Sequence, residues 1–428
     1  MGEVKKDFKK IIKSIGPGII TGAAGDDPSG IATYSQTGAQ FGFAQLWTAL
    51  YMLPFLVAIQ EACARIGAVT GHGLAYAIKK HYSRKILLLM VSIVFIACTI
   101  NIGANIGAMA SSLQLITPFS FTALAIFITI SILSLEIFTS YRAYSKVLKW
   151  LTLSLMAYPL TMLIIKIPWE VVIPATFFPH IEFNFAFFFI ITGVLGTTIS
   201  PFMFFWQASE EVEEERSQKM IKHGTPKIGA SFIQNIRLDT VVGMLFSELG
   251  TWAIIIVAAT VLNASGVTDI KTAADAARSL EPLVQTFPNA GFMAKLLFTT
   301  GIVGLGLLAI PVMAGSAAYA LSEAFGFRDG LNLKFKQAHG FYGAIMLSTV
   351  IGLLINYIGI DPMKALVYSA VLNGFVAVPL VYMIAKISSE KKIMGKYKSG
   401  FISKIFIWLT FFGMGASALA TLYMLMIK

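Results

Sequence analysis

Two adjacent carboxylates lie inside an apolar segment near the start of the chain. Asp26-Asp27-Pro28-Ser29-Gly30 interrupts the segment from Gly16 to Gln40. An Asp at the centre of a membrane helix costs roughly 2.5–3.5 kcal/mol, so such acids usually face a partner or a cavity. Carboxylates bind hard cations such as Mg2+. The run therefore predicts a binding site at this interruption, and two carboxylates would suit a hard cation. Asp26 is either a second ligand or turned away, and Asp27 has the alternative role of helix N-cap.

A second interruption, Thr197-Thr198-Ile199-Ser200-Pro201, lies inside a later apolar segment. Proline removes a backbone donor and breaks a helix. Non-helical backbone at membrane depth is tolerated only where it is buried in protein or lines a cavity. Paired interruptions in corresponding places of two halves indicate the binding site of a secondary transporter.

The composition is that of a membrane protein. Of the 428 residues, 56% are hydrophobic and only 13% are charged, and the mean hydropathy is +0.75. Ordinary soluble domains carry about 25% charged residues. The net charge of +11 comes from basic residues in short loops, which is typical of membrane topology and does not indicate nucleic-acid binding. The two cysteines, Cys63 and Cys98, lie in apolar segments and predict neither a disulfide nor a thiolate site.

Eleven apolar segments are predicted to span the membrane, most of them near the required length of about 20 residues. They cover residues 16–38, 43–68, 86–114, 118–137, 145–166, 186–208, 236–262, 292–323, 339–357, 361–385 and 402–426. Lys and Arg concentrate in the even-numbered loops and at the N-terminus. The positive-inside rule therefore places the N-terminus in the cytoplasm and the C-terminus outside.

Segments one to five and six to ten form two halves, and each half opens with an interrupted helix. Because five is an odd number, the halves must have opposite topology, as in transporters built from inverted repeats. The predicted organisation is a basic arm (1–15), a first repeat (16–166), an extracellular connector (167–185), a second repeat (186–385) and a final cytoplasmic loop and span (386–428).

Three stretches carry a resemblance to a known family. Residues 16–71, which begin GPGIITGAAGDDPSGIATYSQTG, closely resemble the first two helices of the Nramp divalent-metal transporters with their DPGN motif. GTTISPFMFFWQAS (196–209) resembles the sixth helix around its MPH motif, and DPMKALVYSAV (361–371) the start of the tenth. The resemblance covers essentially the whole chain. It implies an all-α, LeuT-like 5+5 inverted repeat with helices 1 and 6 broken, and transport of a divalent cation.

The departures from the family motifs concern the metal ligands. DPGN is DPSG here, so the resemblance implies that Asp27 is kept as the principal metal ligand, whereas Gly30, which has no side chain, replaces the Asn ligand. MPH is SPF here, so the hydroxyl of Ser200 replaces a thioether, and Phe202 replaces the histidine that the family links to proton movement. In this respect the chain is most similar to the Nramp-related magnesium transporters.

The remaining donors are oxygens: Asp27, the backbone carbonyls of Ala24 and Thr197, and the Ser200 hydroxyl, with Asp26 as a further candidate. Oxygen ligands suit Mg2+, Ca2+ and Mn2+, whereas thioethers suit softer metals. Gly30 and Ser200 are also expected to leave room for a partly hydrated Mg2+, which dehydrates reluctantly. We therefore expect import of Mg2+, with Mn2+ also accepted.

The family's proton path looks absent. Asn101 and Ala104 align with the two acids of the third helix, and Asn373 is the polar residue nearest to the tenth-helix Gln. All five histidines fall in loops or at the ends of segments. Transport uncoupled from protons is therefore expected, driven by a membrane potential that supplies about 2.3 kcal/mol per charge per 100 mV.

Several polar residues within the apolar segments are candidates for the ion pathway. Glu61 interrupts the second segment and either lines the pathway or pairs with Arg65, one helical turn on. The candidates are Asn101, Asn105, Asn373, Glu61 and Glu248.

Taken together, the sequence predicts a multi-pass cell-membrane importer without cofactor, nucleic acid or obligate protein partner. One alternative is a proton-coupled Mn2+/Fe2+ importer of the ordinary Nramp type. Another is an amino-acid symporter of the same fold, which is disfavoured because Asp27 would repel the substrate carboxylate. An enzyme is not indicated, because the chain has no HExxH, GxSxG or Walker lysine motif.

Overall fold

The computed structural model describes residues 17–139, 156–222, 225–226 and 228–427, and these are almost entirely helical. In chain order the α-helices are α1 Pro17–Gly25, α2 Pro28–Phe41, α3 Trp47–Thr70, α4 Leu74–His81, α5 Arg84–Leu113, α6 Phe121–Phe138, α7 Ala157–Met162, α8 Trp169–Phe177, α9 Phe185–Thr198, α10 Pro201–Ser217, α11 Ala230–Val261, α12 Ala273–Ala277, α13 Glu281–Val284, α14 Ala290–Phe325, α15 His339–Ile355, α16 Pro362–Ser389, α17 Lys391–Met394 and α18 Phe401–Ile427. Short 3-10 turns lie at Asn263–Ser265, Arg278–Leu280, Phe335–Gln337 and Gly395–Tyr397. Two-residue strands, β1 Ile221–Lys222 and β2 Thr225–Pro226, form one antiparallel pair.

The first predicted interruption is confirmed. Helix α1 ends at Gly25, and α2 begins at Pro28. Proline suits the first helical position because its missing N–H would have no partner there in any case. Asp27 is the N-cap, with an extended backbone (φ −64°, ψ 173°), and its side chain accepts from the N–H of Gly30. The break between the two half-helices is thus capped by a side chain of the break itself, that of Asp27.

The second interruption is also confirmed, between α9 and α10. Pro201 is the first residue of α10, and Ser200 before it is extended (φ −74°, ψ 136°). The Ser200 hydroxyl lies 2.8 Å from the carbonyl oxygen of Gly196 and 2.7 Å from that of Thr197, and donates to both. The hydroxyl thereby satisfies carbonyls that the break leaves without helical N–H partners.

Eight helical stretches among the described residues are long and apolar enough to cross a membrane: α3, α5, α6, α9 with α10, α11 with the turn after it, α14, α16 and α18. Helix α15 is a shorter apolar helix, and α1 with α2 forms the broken first one. The first half of the predicted span 145–166 lies within residues 140–155, outside the described part of the chain, and so does the whole arm 1–15. The total of eleven stays a prediction.

Each half of the bundle packs its broken helix against a helix of the other half. Helices α1 and α2 of the first half pack extensively along α11, and α10 of the second half packs along α3. In the predicted repeats α3 corresponds to α11, so each broken helix packs on the second helix of the opposite repeat. The third helices of the two repeats, α5 and α14, pack on each other more extensively than any other pair. This reciprocal packing is what a pseudo-symmetric repeat requires.

Small residues allow the helices around the centre to approach closely. A Cβ on Gly103 of α5 would lie 2.6 Å from the carbonyl oxygen of Gly352 on α15. Asn356 reinforces this contact by donating from Nδ2 to the carbonyl oxygen of Gly103 at 2.9 Å. The obstacle is backbone, which cannot rotate away as a side chain can. Gly103 therefore sets the α5–α15 separation, as expected for small residues in membrane bundles.

We expect Gly103→Ala to lower the stability of the protein by about 1–3 kcal/mol, because the added methyl overpacks this contact. Gly343→Ala in α15 is the matched control, since a Cβ there meets nothing within 4 Å. It should be neutral or mildly stabilising, because alanine is the better helix former. Thermal unfolding of both variants in one detergent tests this. Equal midpoints for the two would contradict the assignment.

Candidate functional site

Asp27 lies at the centre of a hydrogen-bonded cluster between the two broken helices. It is 1% exposed. Its Oδ1 accepts from the hydroxyl of Ser29 at 2.6 Å and from the backbone N–H of Gly30 at 3.1 Å. Its Oδ2 accepts from Nδ2 of Asn105 on α5 at 3.0 Å. The predicted principal ligand is therefore buried, and its orientation is fixed by three donors.

The second broken helix meets this cluster through its own hydroxyls. Oγ1 of Thr197 lies 3.1 Å from Oγ of Ser29. Because Ser29 directs its hydrogen to Asp27, Thr197 is the donor of this pair. Beside it, the hydroxyls of Tyr34 and Thr198 are 2.8 Å apart. The two breaks, predicted separately from the sequence, thus touch each other at the carboxylate.

The other predicted ligands differ in how they are placed. Ser200 donates its hydroxyl hydrogen to carbonyl oxygens of the preceding helix, α9. Only the lone pairs of its oxygen therefore remain for an ion. The Thr197 carbonyl accepts that hydrogen and keeps one lone pair. Ala24 is fully buried at the end of α1. For Thr197 the side-chain hydroxyl, which the sequence analysis did not single out, makes the closer link to the Asp27 cluster.

The expectation of extra room at Gly30 is wrong. A Cβ on Gly30 would lie 3.2 Å from Cε2 of Tyr34 and 3.5 Å from Oγ1 of Thr197. The space of the missing side chain is taken by these two residues, which close in on the glycine from both broken helices. Gly30 therefore serves close packing of the breaks and does not enlarge a cavity.

An amide chain extends from Asp27 across α5 to α16. Asn105 donates from Nδ2 to the carbonyl oxygen of Asn101 at 2.8 Å as well as to Asp27. Asn101 and Asn373 exchange side-chain hydrogen bonds of 2.8 and 3.1 Å. Oδ1 of Asn105 is buried without a hydrogen-bond partner. Of the three asparagines predicted for the pathway, Asn105 contacts the carboxylate directly and the other two support it.

Two methionines near the site were missed by the sequence analysis. Sδ of Met313, on α14, lies 3.8 Å from Nδ2 of Asn105. Met203 lies in the first turn of α10, and its Sδ is 3.2 Å from the position that a Cβ added to Gly25 would occupy. Apolar segments contain many methionines, so only the packing distinguishes these two. Soft sulfur atoms thus lie at the edge of a site whose predicted donors are all oxygens.

Asp26 points away from this cluster. Its Oδ1 accepts from the hydroxyl of Ser247 on α11 at 3.0 Å. Glu248, the next residue of α11 after this contact, is 4% exposed. The consecutive carboxylates of the break therefore face different helices, and Asp26 shares none of the donors of Asp27.

Glu61 belongs to a salt-bridge network and does not contact the Asp27 cluster. Arg65 donates to it through Nε at 3.0 Å and through Nη2 at 2.8 Å. Arg237 of α11 donates to the same carboxylate at 2.9 Å, and Arg65 also reaches the hydroxyl of Ser399 at 3.0 Å. The geometry favours the salt-bridge alternative over the pathway role.

The N-terminal end of α1 is held against α10 and α11. The N–H of Gly18 donates to Oδ2 of Asp239 at 2.6 Å. A Cβ on Gly22 would lie 2.5 Å from the carbonyl oxygen of Gly243, so the backbones are in direct contact. Thr21 donates to Gln207, whose Nε2 donates to Glu211 at 3.0 Å. This end of the broken helix is closed.

Acidic and basic side chains line a cavity beyond this closed end and pair with each other. A cavity of about 620 Å3 is lined by Glu213, Arg216, Arg328 and Asp329. Arg216 lies 3.2 Å from Glu213 and 3.8 Å from Asp329. Burial raises the pKa of Asp329, although the Arg216 guanidinium opposes this. Glu213, within the acidic run Glu210–Glu215 at the end of α10, is therefore paired locally with Arg216.

A second cavity, of about 460 Å3, opens at the opposite end of the bundle. It is lined by residues of α2, α9 and α16 and of the loop after α11, among them Gln36, Phe189, Asp269 and Lys364. Gln36 ties that loop to α2, since its Oε1 accepts from the N–H of Ile270 at 2.9 Å.

Among the described residues no group of three or more His, Cys, Asp and Glu side chains could hold a metal, so a site at Asp27 must use neutral oxygens as well.

Comparison with known proteins identifies the family. The family model described as natural resistance-associated macrophage protein-like, Nramp, matches residues 18–424. The chain belongs to the Nramp family. A divalent metal cation transporter MntH of Caldanaerobacter subterraneus subsp. tengcongensis is 25% identical over 394 residues, which cover 91% of this chain and 88% of that protein.

Solved structures agree on the fold of this Nramp chain. A manganese transporter of Eremococcus coleocola superimposes with a TM-score of 0.71 at 17% identity, covering 97% of this chain and 86% of that one. Mhp1, a nucleobase-cation-symport-1 family transporter, superimposes with a TM-score of 0.57 at 12% identity, covering 96% and 92%. The fold is therefore the all-helical LeuT-like fold with broken first and sixth helices.

The salt-bridge role of Glu61 predicts the effect of its removal. Glu61→Gln leaves Arg65, which is 1% exposed, without a carboxylate partner and should cost about 3–5 kcal/mol of stability. Adding Arg65→Met should recover part of that loss, because the unpaired buried charge is then gone. Thermal unfolding in detergent measures both. Unchanged stability together with altered ion uptake would instead place Glu61 on the pathway.

Proposed function

We propose that this Nramp protein transports a divalent cation across the membrane by alternating access, with Asp27 as principal ligand. The carrying observation is the junction of the two helix breaks at one buried carboxylate. Broken helices supply backbone carbonyls and half-helix ends to a bound ion. Relatives named as divalent metal cation transporters support the same class of substrate.

Asp27 and Asn105 can hold the ion between them. A half-turn of the Asn105 amide presents its oxygen, which has no partner, where the amide nitrogen now lies beside Oδ2 of Asp27. The hydroxyls of Ser29, Thr197 and Ser200 and the carbonyls of Ala24 and Thr197 add neutral oxygens around them. This set carries one negative charge, and water completes the coordination of a divalent ion.

Mg2+ is the substrate that this donor set favours, because it is bound by one or two carboxylates and keeps several waters. The support is the chemistry of the donors and not the size of the site, since Gly30 leaves no added space. Mn2+ is the second candidate. It accepts oxygen ligands too, the solved relatives include a manganese transporter, and Met313 brings a sulfur atom close to Asn105.

The direction of transport follows from the predicted topology. With the N-terminus in the cytoplasm, the closed end of α1 faces inward and the cavity at Gln36 faces outward. Opening of the Gly18–Asp239 contact would then release the ion to the cytoplasm. Uptake without proton coupling is proposed because Asn101 and Ala104 occupy the positions of the two third-helix acids and Phe202 replaces the family histidine. The membrane potential supplies about 4.6 kcal/mol per 100 mV for a doubly charged ion.

We expect purified protein in liposomes to take up Mg2+ along an inside-negative potential without internal acidification. Asp27→Asn should abolish uptake, because Asn carries no negative charge to bind the ion. The helix break itself should persist, since Asn is also a good helix N-cap. Asp361→Asn is the matched control, since Asp361 also precedes a proline and caps α16. Uptake is followed with internal Mg2+ and pH indicators.

Two results of that experiment would contradict the proposal. Wild-type activity in Asp27→Asn would mean that Asp27 serves only as a cap. Mn2+ uptake with acidification and without Mg2+ flux would mean an ordinary proton-coupled Nramp mechanism.

Met313→Leu separates the two candidate substrates, because leucine keeps the volume and removes the sulfur. If oxygens alone bind the substrate, Mg2+ uptake should stay within about twofold of wild type, since such volume-conserving swaps cost little. A selective loss of Mn2+ uptake of tenfold or more would instead show that the thioether helps to bind a softer ion. Uptake of each ion at equal concentration gives the ratio.

A further inference from the structure

The break in the first helix holds a second group of oxygens that the Asp27 site does not use. Asp26 is 1% exposed, and Glu248 is 4% exposed. Three of their four carboxylate oxygens, Oδ2 of Asp26 and both oxygens of Glu248, are buried without a hydrogen-bond partner. The fourth, Oδ1 of Asp26, accepts from Ser247 at 3.0 Å. This Asp26–Glu248 pair joins the break to α11.

The described part of the chain shows no ion pair to either acid. Within the described residues, none of the salt bridges includes Asp26 or Glu248. The backbone of α11 also lies close to Asp26, since the position of a Cβ on Gly250 is 3.6 Å from its Oδ2. Two buried, ionised carboxylates without a cationic partner are costly. Glu136 is also buried without a partner, but it stands alone on α6.

We propose that Asp26 and Glu248, with the hydroxyl oxygen of Ser247, form a second divalent-cation site beside the Asp27 site. Two carboxylates supply the charge that matches a doubly charged ion. Carboxylate and hydroxyl oxygens are the donors that hard divalent cations take, at about 2.0–2.6 Å. Carboxylates buried in protein are normally paired or coordinate a metal.

The two sites share no donor. Ser29, Gly30 and Asn105 hold Asp27, whereas Ser247 and Glu248 accompany Asp26. They are linked only by the backbone between consecutive residues of the break. An ion on the Asp26–Glu248 pair would tie the break to α11, along which α1 and α2 both pack. The second site would thus hold the non-helical segment in place while Asp27 binds and releases its own ion.

The test is the number of Mn2+ ions bound per chain, measured by electron paramagnetic resonance titration of the full-length protein in detergent. We expect two for the wild type, and one for Glu248→Gln and for Asp26→Asn. Glu136→Gln, a change of the same kind at a buried acid outside the site, should keep two. Retention of one ion by Glu248→Gln also shows that this variant is folded.

Other outcomes overturn the inference in distinguishable ways. One ion in the wild type, kept by Glu248→Gln and lost by Asp27→Asn, would eliminate the second site and leave the proposed transport function intact. No bound Mn2+ in the wild type would contradict both. Binding of 22Na+ that depends on Glu248, without a second Mn2+, would overturn the assignment to a divalent ion.

Discussion

The structure depends on how backbone groups are satisfied where a helix stops inside a bilayer. Water is absent there, and each unsatisfied N–H or C=O costs several kcal/mol. At the first break the carboxylate of Asp27 accepts from the N–H of Gly30. At the second the hydroxyl of Ser200 donates to the carbonyls of Gly196 and Thr197. The breaks exist because short polar side chains within them replace the missing helical partners.

The same groups that permit the breaks also supply the chemistry of the proposed site. Asp27 is both the cap of α2 and the proposed ligand, so an ion competes with the hydrogen bonds of Ser29 and Asn105. Such competition suits a transporter, which must release its cargo as well as bind it. A structural ion site would hold its carboxylates free of internal donors. The Asp26–Glu248 pair has that character, with three oxygens that accept no hydrogen bond.

Much of the fold could be predicted from the sequence because its signals are local. Pro28 and Pro201 lack the N–H that would continue a preceding helix and suit the first position of a new one, so both breaks could be located to within a residue or two. Apolar length identified the long helices for a similar reason. The segment 145–166 could not be checked in full, since residues 140–155 lie outside the described part.

The site was predicted only in part, because its contacts join residues that are distant in the chain. Asn105 reaches Asp27 over 78 positions, and Ser247 reaches Asp26 over 221. No periodicity or motif encodes such pairs. For Glu61 the sequence left two roles open, and Arg237, 176 positions away, favoured the salt bridge. At Gly30 the sequence indicated a missing side chain, but only the packing of Tyr34 and Thr197 determined that no space remains.

The sequence by itself determined that the chain is a membrane protein of two halves, each opening with a broken helix, and that acids lie at the first break. These properties follow from composition and from the local chemistry of proline, glycine and aspartate. Only the tertiary structure decided which way each carboxylate points. Side chains of consecutive residues in an extended segment diverge, and the helices packed on either side give Asp27 and Asp26 different donors, Asn105 for the first and Ser247 for the second.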